Sequence, residues 1–188
     1  SKTCLITGHK SRRPNRKPPS ASAILLNIFM DGVVHLYHKS EATMHFELQS
    51  AIEVLRRTPG ILRAMLAGLG RQWTHTNYGK DTFSPFDVVG HLIAGEKKDW
   101  LNRVKILLEH GESLPFDPVD RYSQFEESRG KSLDQLLNEF EQLRKSNLDS
   151  LIKMDLTAGD FARRGVHPAL GSVTLSNLIS TWVAHDLN

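Results

Sequence analysis

From Met44 onward, apolar residues return every three or four positions, and this period constrains the fold more than any other feature of the chain. Leu48, Ile52, Leu55, Leu62, Met65, Leu66 and Leu69 trace one face of a first helix. Thr58-Pro59-Gly60 interrupts that run and predicts a kink or two abutting helices, while Gly68 and Gly70 mark its end. A second helix starts at Ser84, a good N-cap, followed by Pro85 at the first helical position and Asp87 in the first turn. Its stripe is Phe86, Val89, Ile93, Trp100, Val104 and Leu107, with Gly111 as the stop. The loop "ESLPFDPVDRYSQF" crosses to a third helix, opened by the capping-box spacing of Ser132 and Gln135 and lined by Leu133, Leu136, Leu137, Phe140, Leu143, Leu148 and Leu151. A further loop, "DLTAGDFARRGVHPALGSV", leads to Thr174 as N-cap of a last helix.

Four amphipathic helices with no convincing strand pair and no internal repeat predict an all-α fold, an up-and-down four-helix bundle. The connections are longer than such a bundle needs at minimum. With 188 residues, 39% hydrophobic and 24% charged, the chain has the size and composition of one globular domain.

The formal net charge of +3 is unevenly spread. Residues 1–43 carry seven Lys/Arg against Asp31 and Glu41, whereas residues 44–188 carry 17 basic and 19 acidic side chains. The body therefore lacks the basic surplus of a nucleic-acid binder. Residues 1–43, basic and Pro/Ser-rich at the start, are expected to be a disordered or loosely packed extension, with 44–188 as the domain. The apolar run "ILLNIFMDGVVHLYHK" is interrupted by Asn27 and Asp31 and falls short of the roughly 20 residues that span a bilayer. It also lacks the small-residue cleavage site of a signal peptide. One cysteine, Cys4, excludes an intrachain disulfide framework and fits a cytoplasmic protein.

The histidines separate by position. On a helical wheel of about 100° per residue, Leu175, Leu178, Ile179 and Trp182 cluster on one side of the last helix. Asp186 falls inside that cluster and His185 on its edge. A carboxylate there needs a partner, unless the helix end frays and leaves it wet. His91 lies off the main stripe of its helix and reads, from the wheel alone, as a surface or groove histidine, with Gly95 leaving room beside the ring. His167 reads as a loop residue, His75 and His110 as solvated positions at helix ends, and Glu96 as solvated. His9, His35, His38 and His45 lie in or near the extension. A metal-binding pair on one helix would be H-x3-H, and the partner of His185 would then follow Asn188. No Ser/His/Asp arrangement or Gly-rich phosphate loop is present, and Cys4 is poorly placed as a nucleophile.

The segments "LRRTPGILRAMLAGL", "SPFDVVGHLIAGEKKDWLNRVKILL", "LPFDPVDR" and "HPALGSVTLSNLISTWVAHDL", in that order, resemble the DinB-like superfamily of DinB/YfiT-type four-helix bundles, over roughly residues 46–188. The resemblance implies a divalent metal, zinc or nickel, held by three histidines, one from the second helix and two from the last. His91 matches the first and His185 the second, and the third would follow Asn188. Asp186, in the same turn as His185, is then expected to accept a ring N–H from a ligand, the usual way such rings are oriented, His91 being the recipient. The pocket walls are expected to include Trp100, His167 and Trp182, together with Trp73, Phe83 and Phe161. The implied activity is that of a hydrolase or a low-molecular-weight-thiol S-transferase on a small-molecule substrate, in a homodimer, with no nucleic-acid or membrane partner. The rival expectation is a non-catalytic binding or stress-related bundle without a complete metal site.

Overall fold

The computed structural model describes residues 45–118 and 122–187, so the expected extension 1–43 lies outside the described residues. Helix α1 spans Leu48–Leu66, a short α2 spans Arg71–Thr74, and α3 and α4 span Pro85–Lys98 and Trp100–His110. After a 3-10 turn at Gly111–Ser113 come α5 (Ser123–Ser128), α6 (Leu133–Lys153) and α7 (Ala158–Phe161). Strands β1 (Arg164–His167) and β2 (Gly171–Thr174) precede the last helix, α8 (Leu175–Asp186). No helix among the described residues is long and apolar enough to cross a membrane.

The caps read from the sequence form as expected. Ser84 and Asp87, Ser132 and Gln135, and Thr174 and Asn177 each build a reciprocal capping box. Two boundaries differ. The expected second helix divides at Asp99, although Asp99 N–H still donates to Gly95 and Arg103 N–H to Asp99, which keeps the backbone ladder running past the break. Of the kink or pair of abutting helices expected at Thr58-Pro59-Gly60, the pair does not occur, and α1 is one helix with Pro59 inside it. Proline has no N–H to offer the carbonyl one turn earlier. That carbonyl, on Leu55, instead accepts a hydrogen bond of 2.8 Å from Arg144 Nη1.

Four helices, α1, the α3/α4 pair, α6 and α8, form the bundle, and its directions are legible from the contacts. Arg63 reaches Asn138 and Glu141 while Leu55 meets Arg144, so α1 and α6 are antiparallel. Helices α3 and α6 are parallel: Phe86, Val89, Leu92 and Ile93 pack with Leu133, Leu136, Leu137 and Phe140, and Glu96 lies further along beside Arg144 and Asn147. This is the one departure from strict up-and-down alternation. The long connection makes it possible, because α5 climbs back along α3, with Ser123 at Lys98 and Ser128 against Gly90. Helix α8 runs against α3/α4, with His185 at His91 and Trp182 stacked on Trp100.

The hairpin β1/β2 corrects the expectation of a plain loop before Thr174. Its antiparallel register pairs Arg164 with Thr174 and His167 with Gly171, and Phe116 N–H adds a bond of 2.9 Å to the Val166 carbonyl. Four residues per strand gave too short an alternation to read. Gly165 lets the hairpin close on the core: a Cβ there would sit 2.9 Å from Phe116 Cζ and 3.2 Å from Leu107 Cγ. Gly165→Ala is therefore expected to lower stability by about 1–3 kcal/mol through overpacking, read as a fall in the urea midpoint. An unchanged midpoint would show that Phe116 moves aside freely.

Candidate functional site

Two imidazoles separated by 94 positions in sequence meet inside the bundle. His91 projects from the second turn of α3 and His185 from the last turn of α8, and their Nε2 atoms lie 3.1 Å apart. Aromatic rings frame the pair. Phe83 lies 5.7 Å from His91, Trp100 meets His185 edge-on at 5.2 Å, and Trp100 stacks on Trp182 at 5.8 Å with planes 7° apart. Burial, and then the neighbouring His91, push the His185 pKa down to about 4, so this ring is neutral near pH 7. Gly95 does open space, but Trp100 uses it: a Cβ at Gly95 would stand 2.9 Å from the indole Nε1.

Beside the pair lies a fully satisfied ionic cluster. The Arg144 side chain is 1% exposed and those of Glu96 and Asp186 are 0% exposed. Arg144 donates from Nε and Nη2 to Glu96 Oε1, at 3.0 and 2.8 Å. It donates from Nη1 and Nη2 to Asp186 Oδ2 and Oδ1, at 2.5 and 3.0 Å, and from Nη1 to the Leu55 carbonyl. These five bonds use all five guanidinium N–H groups. The guanidinium also lies 4.9 Å from the Phe140 ring centroid and 5.3 Å from that of Trp182. Burial works against the Arg144 charge, but the bonds it donates to Asp186 and the attraction of both carboxylates outweigh it and raise its pKa. Burial raises Glu96, with Arg144 and Asn147 offsetting part of the rise.

This cluster corrects two expectations. Glu96 is not solvated, because it also accepts from Asn147 Nδ2 at 2.9 Å and Trp182 Nε1 at 3.2 Å. Asp186 does find a partner, but both its oxygens are taken by Arg144 rather than by a ligand ring. Its place inside the apolar stripe aims it at the bundle centre, where a guanidinium is the strongest donor. His185 Nδ1 is accordingly buried without a hydrogen-bond partner, as is Trp100 Nε1. His167 makes its contacts elsewhere: Nδ1 accepts from the Ala169 and Leu170 amides at 3.1 and 3.2 Å, and Nε2 lies 3.4 Å from Arg103 Nη1. It holds the hairpin turn.

A pocket of about 330 Å³ opens beside His91, lined by Ala94, Gly95, Lys98, Asp99, Asn102 and Asp117. Asp99 faces Arg103 at 3.4 Å, and burial raises its pKa, with Arg103 and His185 offsetting part of the rise. The sequence reading missed Asp99 and Arg144. For Arg144 a signal existed, since it falls on the wheel between Phe140 and Leu148, within the apolar stripe of α6.

The pair fits two neighbouring positions on one divalent ion. Metal–nitrogen bonds of about 2.0–2.1 Å at right-angled to tetrahedral geometry place two donor nitrogens about 2.9–3.4 Å apart, and 3.1 Å lies inside that range. Among the described residues, no group of three or more His, Cys, Asp or Glu is placed to share an ion.

A model of the DinB superfamily matches residues 54–188. The chain belongs to the DinB superfamily. No curated protein matches it. Among solved structures, this DinB-superfamily chain is similar to YfiT from Bacillus subtilis, described as a probable metal-dependent hydrolase with an unusual four-helix bundle topology. The likeness has 22% sequence identity, covers 79% of this chain and 84% of that one, and has a TM-score of 0.65. At that identity it is a likeness of fold.

In the metal-free protein, burial of His185 makes stability depend on pH. Its folded-state pKa of about 4 lies below the ordinary 6.5, so the unfolded chain takes up the proton first. The stability is whole above pH 6.5 and is lost as pH falls toward 4, by up to about 3 kcal/mol. Urea titrations in chelator from pH 7 to 4 should show this decline, and His185→Asn should flatten it. An equal slope in the variant would assign the decline to other groups.

Proposed function

We propose that this DinB-superfamily protein is a divalent-metal-dependent hydrolase of small molecules, with zinc or nickel held by His91 and His185. The observation that carries the reading is the pair of Nε2 atoms facing each other at 3.1 Å beside a pocket of small-molecule size. The description of YfiT as a probable metal-dependent hydrolase supports it. When bound, such an ion supplies Lewis-acid chemistry for hydrolysis, or for attack by a low-molecular-weight thiolate.

The chain's own residues divide the remaining work. His185, neutral because it is buried, keeps a lone pair available near neutral pH. Trp100 and Trp182 exclude water from one side of the rings. Asp99, on the pocket wall with its pKa raised by burial, supplies a carboxylate to accept a proton from an attacking nucleophile. Lys98 borders the same wall with its ammonium tied to Glu127 and Ser123, which fixes its position. Glu96 takes no part in proton transfer, since its oxygens are committed to Arg144, Asn147 and Trp182.

Melting with and without chelator tests the metal. At zinc or nickel about 100-fold above the dissociation constant, the gain should be about 2.7 kcal/mol, and His91→Ala and His185→Ala should each abolish it. Identical melting of the unaltered protein in metal and in chelator would return it to the reading of a non-catalytic bundle.

A further inference from the structure

One carboxylate would neutralise Arg144, yet two are buried against it. The side chains of Glu96, Asp186 and Arg144 are withdrawn from water, and both acids pair with the same guanidinium. Their formal charge is −1, and no other described cation forms an ion pair with either acid. Burying a surplus charge costs stability that a fully bonded cluster does not recover. Packing alone does not require it.

The surplus lies on the two helices that carry the imidazoles. Glu96 stands five residues after His91 on α3, and Asp186 directly follows His185 on α8. His185, depressed first by burial, also feels the charges of Asp186, Asp99 and Arg144. Asp99 is already balanced by Arg103 at 3.4 Å. Beside the Asp99–Arg103 pair and the Asp117 carboxylate on the pocket wall, the buried cluster adds one surplus negative charge. Its oxygens are occupied by Arg144, Asn147 and Trp182, so they act through space and not by ligation.

We propose that the Arg144–Glu96–Asp186 cluster is the counter-charge for a divalent cation at the His91–His185 pair, which makes Glu96 and Asp186 determinants of cation affinity that never touch the ion. The inference rests on the metal-centre reading above. Imidazoles bind a metal as uncharged ligands, so they would leave the whole charge of a bound ion unbalanced, and buried charges attract strongly where water is scarce.

The test separates affinity from folding. Zinc dissociation constants are measured by competition with a chromophoric chelator for the unaltered protein, Glu96→Gln and Asp186→Asn, alongside their melting temperatures in chelator. Each variant should bind zinc about 10–100-fold more weakly, while its melting temperature in chelator holds or rises, because a surplus buried charge has gone. Unchanged affinity, or affinity and metal-free stability falling together, would overturn the counter-charge role and leave the cluster as a helix tie alone. Failure of both variants to fold would overturn it as well. If the unaltered protein binds no zinc or nickel, the metal-centre reading fails and carries this inference with it.

Discussion

The guanidinium of Arg144 is the point on which the bundle and its candidate site both depend. It is buried at the centre of the bundle, and it bonds to α1, α3 and α8 at once from its seat on α6. Such a group is tolerated because every N–H has an acceptor and the rings of Phe140 and Trp182 lie against it. A lysine would carry the same charge without the planar fork that meets two carboxylates and a carbonyl together. The Leu55 carbonyl is free for this bond because Pro59 cannot use it, so a residue that reads as a helix breaker is part of the tie.

From this tie the geometry of the histidines follows. Glu96 fixes α3 to Arg144 just beyond His91, and Asp186 fixes the last turn of α8 beside His185. The rings therefore approach each other because their helices are locked in rotation and height by bonds made next door. Phe83, Trp100 and Trp182 complete the frame, and the space left at Gly95 goes to the Trp100 indole. The pocket opens beside His91, where Lys98, Asp99, Asn102 and Asp117 form a polar wall.

Much of this was legible in the residues. Three caps, the amphipathic stripes and the bundle were all available in the residues, and the family resemblance singled out His91 and His185 as a pair that the fold does bring together. The errors have physical causes. Glu96 read as solvated because acidic residues on helices usually are, and the wheel gives a direction but no neighbour. Asp186 was assigned to a ligand ring because the guanidinium facing it lies 42 residues away. The hairpin escaped because its strands are too short for a period to register, and its stability comes partly from Phe116, far back in the chain.

By itself, then, the sequence determined what depends on near neighbours: the helix caps, the apolar faces and membership of the DinB superfamily. Those properties arise from backbone hydrogen bonding and side-chain spacing within a few turns. Which polar groups meet was decided only by the tertiary structure. Glu96, Arg144 and Asp186 are tens of residues apart, and His91 and His185 are 94 apart. Their encounter depends on the rotation and direction of whole helices, above all the parallel run of α3 and α6, which follows from packing the entire core at once.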